Sequence, residues 1–102
     1  MSQKFAQIID FESQRIEEMR ELIERFEQQM QGTPGAPTHR IMLQDRDKPG
    51  RYLAIVEFES ADDAMRNNER PEVAHLNEQL TALCTRPPTF TNCDVRDSRE
   101  LK

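Results

Sequence analysis

The histidine, cysteine and tyrosine side chains of this 102-residue sequence, five in all, are candidates for metal binding, nucleophilic attack or proton transfer. They are His39, His75, Cys84, Cys93 and Tyr52. The histidines and cysteines lack the short paired spacing of a zinc site, so the sequence predicts no metal. The two cysteines form no C-x-x-C pattern, and the chain does not begin like a signal peptide, so we expect two reduced thiols.

His75 has the widest chemical range of these groups, because imidazole titrates near neutral pH and also binds metals. On an ideal helix it lies about 120° from the apolar stripe of Val73, Leu76 and Leu80. Two interpretations stay open: a histidine at the surface or the edge of a cleft, and a proton-transfer group or haem ligand. His39 begins a strand and is expected at the surface.

The composition of the chain argues against some classes of binding partner. A net charge of −5 argues against non-specific binding to nucleic acid or anionic membranes. No apolar run approaches the ~18 residues that a membrane-spanning helix needs. Together with the reduced thiols, these features lead us to expect a cytoplasmic protein.

The elements that position these side chains follow from hydrophobic periodicity. Short apolar or alternating runs predict strands at residues 4–11, 38–44, 51–58 and 89–95. A helix is expected after Ser13, which would cap it. A second helical region begins with a capping box at Ser60 and Asp63, covers about residues 61–68, and restarts at Pro71. The apolar stripe of the first helix consists of Ile16, Met19, Leu22, Ile23, Phe26 and Met30.

The order of these elements predicts an α+β fold. Strand, helix, strand, strand, helix, strand is the ferredoxin-like βαββαβ plan, with a four-stranded antiparallel sheet and both helical regions on one side. Residues 1–96 form a single domain in this prediction, and residues 97–102 form a polar tail.

The third predicted strand carries apolar residues on both of its faces. The helices can cover only one face, so something else must cover the other. Tyr52, Ala54, Val56 and Phe58 are expected to face the helices. Leu53 and Ile55 then point to the opposite side, where a lone chain would leave an aliphatic patch in water. Contact with a second copy would cover it, with roughly 800 Å² buried per partner, so the sequence predicts a homodimer.

The same strand partly fits the signature of an RNA-recognition motif, which shares this topology. The positions that would stack on bases are Leu53 and Ile55, whose side chains have no π-face. RNA recognition is therefore a disfavoured alternative, and nucleic acid is not an expected partner.

Residues 4–95 resemble the dimeric α/β-barrel superfamily, which includes antibiotic-biosynthesis-type monooxygenases and related haem-degrading enzymes. The resemblance rests on the topology and on YLAIVEFESADDAMRNNERPEVAHL (residues 52–76), in which a strand leads into a helix broken before a proline. It implies that two sheets close into a barrel across the dimer. It also implies that a ligand lies between a chain's own sheet and helices.

Active members of that superfamily often use an asparagine on the first strand, a tryptophan on the second helix and a nearby histidine. The resemblance places Gln7 at the first of these positions, Asn67 or Asn68 near the second and His75 at the third. The chain contains no tryptophan. The resemblance thus implies catalytic roles for His75, Gln7 and Asn68. Together with side-chain alternation, it implies a ligand pocket formed by Tyr52, Phe5, Ile9, Phe11 and Phe26.

Three functional classes follow. The first is a cofactor-free monooxygenase of the antibiotic-biosynthesis type that acts on a small apolar or aromatic molecule. The second is a non-catalytic ligand-binding or accessory dimer, for which the missing tryptophan argues. The third is a haem-binding protein; otherwise no cofactor is expected.

Overall fold

The computed structural model describes residues 3–102, so residues 1 and 2 of the predicted domain lie outside it. The elements are β1 (Phe5–Glu12), α1 (Ile16–Gln29), β2 (His39–Gln44), β3 (Arg51–Phe58), α2 (Ala61–Asn68), α3 (Pro71–Ala82) and β4 (Thr89–Asp94). The strands form one antiparallel sheet in the order β2-β3-β1-β4. The predicted ferredoxin-like α+β fold is confirmed, whereas the barrel across a dimer remains a prediction.

Element bounds agree closely with the sequence periodicity. β3 and α2 begin and end at the predicted residues, and the other strands differ by a single residue at one or both ends. Pro71 starts α3 in its first turn, where its missing N–H is not needed. Within residues 3–102, no helix is long and apolar enough to cross a membrane.

The register divides the sheet into two faces, because residues directly opposite each other on neighbouring strands share a face. We call the face that carries Phe11, Tyr52 and Ala54 the inner face. These three residues and Met19 of α1 form the buried core cluster. The Phe11 and Tyr52 rings stack with their centroids 5.6 Å apart. Tyr52, Ala54 and Phe58 are buried as predicted.

The opposite face, here the outer face, has an apolar centre. One cross-strand row consists of Ile41, Ile55 and Ile8, and Leu43 pairs with Leu53 in the next row. Ile41 and Leu43 are 42% and 41% exposed. The predicted placement of Leu53 and Ile55 away from the helices is therefore confirmed.

A group of ion pairs occupies one end of the outer face. We call it the end cluster; it consists of Asp10, Glu12, Asp45, Lys48, Arg51 and Arg86. Arg51 donates to both carboxylate oxygens of Asp10, at 3.1 and 2.7 Å, and to Asp45 at 2.9 Å. The hydrogen bonds from Arg51 hold the pKa of the Asp10 carboxyl below its usual value. For Asp45, the backbone N–H of Asp47 is the largest cause of a lowered pKa, followed by Arg51.

Ser13 does not cap α1, contrary to the prediction. The N-cap is Arg15, which makes no side-chain capping bond. The Ser13 hydroxyl instead donates to the Leu83 carbonyl at 2.7 Å and accepts from the Arg15 N–H at 3.0 Å. Ser60 does cap α2, because its side chain accepts from the Asp63 N–H.

Candidate functional site

A cavity of about 540 Å³ lies between the inner face and the helices. Its walls are mainly apolar because the apolar residues of the inner face and the apolar stripes of the helices both face it. Its volume falls within the range of small-molecule sites. The apolar lining includes Ile9, Phe11, Met19, Ile23, Phe26, Met42, Val56, Leu76, Leu80 and Phe90.

Three polar residues of the sheet lie in one row on the inner face. Val56 pairs with Gln7 on one side and Arg40 on the other, and Gln7 pairs with Asn92. The row therefore runs Arg40, Val56, Gln7, Asn92 across all four strands; we call it the cross-sheet row. The Gln7 side-chain amide donates to the Asn92 Oδ1 at 3.1 Å, which orients it.

The helices contribute a second set of neutral polar groups to the cavity. Asn67, only 7% exposed, and Asn68 lie at the end of α2, and Asn77 and Thr81 lie along α3. Carboxamides both donate and accept hydrogen bonds. These groups are therefore suited to ligand oxygens, either carbonyl or hydroxyl.

One ion pair borders the cavity. The Arg40 Nε donates to Glu27 Oε2 at 2.7 Å, and its Nη2 donates to Oε1 at 3.2 Å. This bidentate bond from β2 to α1 raises the pKa of the Arg40 guanidinium above its ordinary value. Both residues line the cavity. Arg40 is thus held in one orientation beside whatever occupies the space.

The structure brings five of the eight predicted site residues to the cavity. Gln7 and Asn68 are the polar members of this set. The apolar members are Ile9, Phe11 and Phe26. Alternation on β1 and the helical periodicity of α1 placed the three apolar residues, and the family resemblance placed Gln7 and Asn68. Nothing in the structure tests the chemical roles of these five residues.

The other three predicted site residues do not line the cavity. Tyr52 lies beneath it, stacked on Phe11, and its hydroxyl accepts a 3.3 Å hydrogen bond from Gln44. Phe5 instead packs near Phe58, with ring centroids 6.3 Å apart.

His75 is exposed on α3 and does not line the cavity. The reason is helical rotation, since Val73, Leu76 and Leu80 turn inward and carry His75 to the far side. The exposed position agrees with the surface interpretation of this residue, and the proton-transfer or haem role stays a prediction that nothing in the structure tests. Its placement among the polar groups of the pocket was wrong.

The remaining reactive groups take different positions. Cys84 lines the cavity, and burial raises the pKa of its thiol. Cys93 pairs with Ala6 on the outer face, and both thiols are free. His39 lies at the rim, exposed, with a register that pairs it with Glu57. Within residues 3–102, no group of three or more histidine, cysteine or acidic side chains is placed to hold a metal.

Sequence reasoning missed Arg40 and Glu27, and of the two candidates Asn67 and Asn68 it assigned the role to the less buried one. Alternation on β2 could have placed Arg40 beside Met42 on the inner face. Nothing in the sequence indicated that Glu27 lines the cavity, because a charged residue beside the apolar stripe of a helix is usually solvated. Asn67 and Asn68 differ by 100° on the helix, and only the docking of α2 shows which amide is the more buried.

Comparisons with known proteins support the fold. The sequence matches no protein-family model and no curated protein. A variant of SnoaB, a cofactor-independent oxygenase from Streptomyces nogalater, is similar in structure with a TM-score of 0.79 at 20% identity, covering 95% of this chain and 97% of that one. Rv0793 from Mycobacterium tuberculosis gives 0.74 at 16% identity, with coverage of 95% and 99%.

A protein from Nitrosomonas europaea, assigned as a candidate antibiotic biosynthesis monooxygenase, gives a TM-score of 0.74 at 14% identity. That match covers 94% of this chain and 93% of the other. The chain therefore has the fold of antibiotic biosynthesis monooxygenase-like proteins, and the resemblance expected from the sequence is confirmed at the level of the fold.

Proposed function

We propose that the protein is a homodimeric, cofactor-independent monooxygenase of the antibiotic-biosynthesis type, acting on a small aromatic molecule bound between its own sheet and helices. The observation that supports this proposal is the largely apolar cavity with carboxamide groups in its lining. It occurs in a fold shared with SnoaB, a cofactor-independent oxygenase.

Without a cofactor, the substrate itself must supply electrons to dioxygen, which it does as an enolate or phenolate. For an aromatic ketone with an acidic methylene group, CH₂ and O₂ become C=O and H₂O. Two C–H bonds and the O–O bond break, and one oxygen atom leaves as water. In the proposal, the Gln7 and Asn68 amides donate to the substrate oxygen that becomes negative. Such donors stabilise developing charge in a water-poor site.

In the proposal, no protein side chain removes the substrate proton, because the substrate is acidic enough to ionise without one. Among residues 3–102, the ionisable side chains of the lining are those of Glu27, His39, Arg40 and Cys84. Glu27 and Arg40 neutralise each other, and His39 lies at the rim. The rate is therefore expected to follow ionisation of the substrate rather than that of a buried base.

The test is oxygen uptake with 1,8-dihydroxyanthrone, corrected for its oxidation without protein. Removing an amide donor with Gln7→Met or Asn68→Leu should lower kcat/KM by roughly 100-fold. Gln79→Leu, at an exposed position of α3 away from the cavity lining, is the matched control and should retain the wild-type rate. Uptake by the wild-type protein no faster than the background would refute the catalytic proposal.

A non-catalytic ligand-binding dimer is the second candidate. Two observations favour it: the sequence has no tryptophan, and His75 is exposed outside the cavity. In this case the anthrone or its quinone would raise the thermal midpoint without any oxygen uptake. The same two measurements therefore separate the candidates.

The homodimer in this proposal is supported by the outer face. Ile8, Ile41, Leu43, Leu53 and Ile55 form a continuous apolar surface over three strands, and a second copy of the same surface would cover it. A two-fold contact is the commonest way in which identical chains do so.

A further inference from the structure

Arg51 in the end cluster shows how an arginine of this protein holds two acceptors. Its Nε and Nη2 donate to the two oxygens of Asp10, and its Nη1 donates to Asp45. A guanidinium has five N–H donors in one plane. It can therefore bind one acceptor through Nε and one Nη, and a second acceptor through the other Nη. Both positions are occupied at Arg51.

Arg40 repeats only half of this arrangement. Its Nε and Nη2 donate to Glu27. Among residues 3–102, its Nη1 makes no hydrogen bond. The residue lines the cavity, and its side chain is 25% exposed. The two N–H groups of Nη1 are therefore available to an acceptor brought by a ligand.

The charges around Arg40 favour a neutral acceptor. Glu27 already balances the guanidinium, and Glu24 adds negative potential. A ligand carboxylate would be repelled by both acidic groups. The oxygen of a ketone or quinone accepts a hydrogen bond without adding a charge.

The cross-sheet row gives the distance over which such a ligand would extend. Arg40 and Gln7 are two strands apart, so their backbones are separated by roughly 10 Å. Val56 lies between them and provides an apolar floor. A flat fused ring system lying over Val56 would reach polar groups at both ends.

We propose that Arg40 is a specificity-determining residue, whose Nη1 donates to a ketone or quinone carbonyl at one end of a fused aromatic ligand that contacts Gln7 at its other end. This inference rests on the proposed function, because it requires the cavity to bind an aromatic ligand.

The experiment compares two probes, 6-acetyl-2-naphthol and 6-ethyl-2-naphthol, by fluorescence titration. They share the ring system and hydroxyl group, and only the first has a carbonyl. The wild-type protein should bind the acetyl compound at least about tenfold more tightly, as expected for a hydrogen bond from a charged donor. Arg40→Met should remove this preference and change the Kd of the ethyl compound by less than about threefold, because that probe makes no bond to Nη1.

Arg25→Met is the matched control, since Arg25 is an exposed arginine of α1 that donates to the Glu21 carbonyl and does not line the cavity. It should keep the tenfold preference. If Arg40→Met fails to fold, Arg40→Lys replaces it. Lysine retains the charge opposite Glu27 but lacks the second donor edge, so it should also lose the preference.

Three results would count against the inference in distinguishable ways. Equal weakening of both probes by Arg40→Met would mean that Arg40 only packs. Tight binding of both probes by the wild-type protein without preference would overturn the role of Arg40 and leave the proposed binding function intact. Failure of the wild-type protein to bind either probe would defeat the proposed function together with this inference.

Discussion

Ser13 shows how one small residue connects distant parts of the chain. The residue is 3% exposed, and its hydroxyl donates to the carbonyl of Leu83, 70 residues away in sequence. Its backbone N–H donates to the Gly50 carbonyl in the β2–β3 turn at 3.0 Å. Ser13 therefore holds the end of β1 against both the hairpin and the end of α3.

Loss of this hydroxyl should destabilise the fold. Ser13→Ala leaves the Leu83 carbonyl without its donor, and we expect the free energy of unfolding to fall by about 1–3 kcal/mol. Urea denaturation at fixed protein concentration measures the change. Ser98→Ala, at an exposed position near the end of the chain, should stay within about 0.5 kcal/mol of wild type. A loss for Ser13→Ala no larger than that would contradict the prediction.

At the scale of elements, local signals allowed some parts of the structure to be predicted and left others unpredictable. β3 and α2 could be bounded from the sequence because Gly50 precedes one and the Ser60 cap precedes the other. Ser13 also resembled a cap, but its hydroxyl bonds to a residue distant in sequence. The site depends on such distant partners too: Arg40 and Glu27 lie on different elements and meet only after folding.

The end cluster, which joins β1, the β2–β3 hairpin and the segment before β4, makes stability depend on pH. The lowered pKa values of Asp10 and Asp45 mean that the folded state favours their charged forms. Their stabilising contribution is present above the unfolded-state value of 3.8. It is lost as the pH falls through the lower folded-state pKa values.

Arg51→Met should therefore reduce stability more at neutral pH than in acid. We expect the difference in free energy of unfolding between wild type and variant to be largest near pH 7 and to shrink as the pH falls below the unfolded-state pKa of 3.8. Urea unfolding at a series of pH values measures it. Arg20→Met, which removes two exposed pairs on α1, with Glu17 and Glu24, should show little dependence on pH. An Arg51→Met difference that is constant across the series would show that the ion pairs do not cause it.

For the whole molecule, the two faces of the sheet have separate tasks in the proposed function. The inner face forms the cavity with the chain's own helices. The outer face carries apolar side chains that one chain leaves partly exposed. Dimerisation and ligand binding should therefore respond to different substitutions, although both depend on the same four strands.

Ile41→Glu tests the proposed dimer without disturbing a buried position, because Ile41 is 42% exposed in the single chain. A charge in the apolar centre of the contact should weaken association by at least about 30-fold, or roughly 2 kcal/mol. Sedimentation equilibrium at micromolar concentration measures it. Met65→Glu alters a residue of α2 that is 62% exposed and off the sheet, and it should remain dimeric. A wild-type protein that sediments as a monomer would rule out the dimer.

The cross-sheet row has a consequence for how the proposed binding site can change. Its members, residues 7, 40, 56 and 92, come one from each strand, so no contiguous stretch of the gene encodes it. Exchanging a single loop or helix with a relative would therefore transfer none of the four residues of the row. Point substitutions can alter it one strand at a time, so new ligand preferences are expected to arise by gradual drift at these four codons.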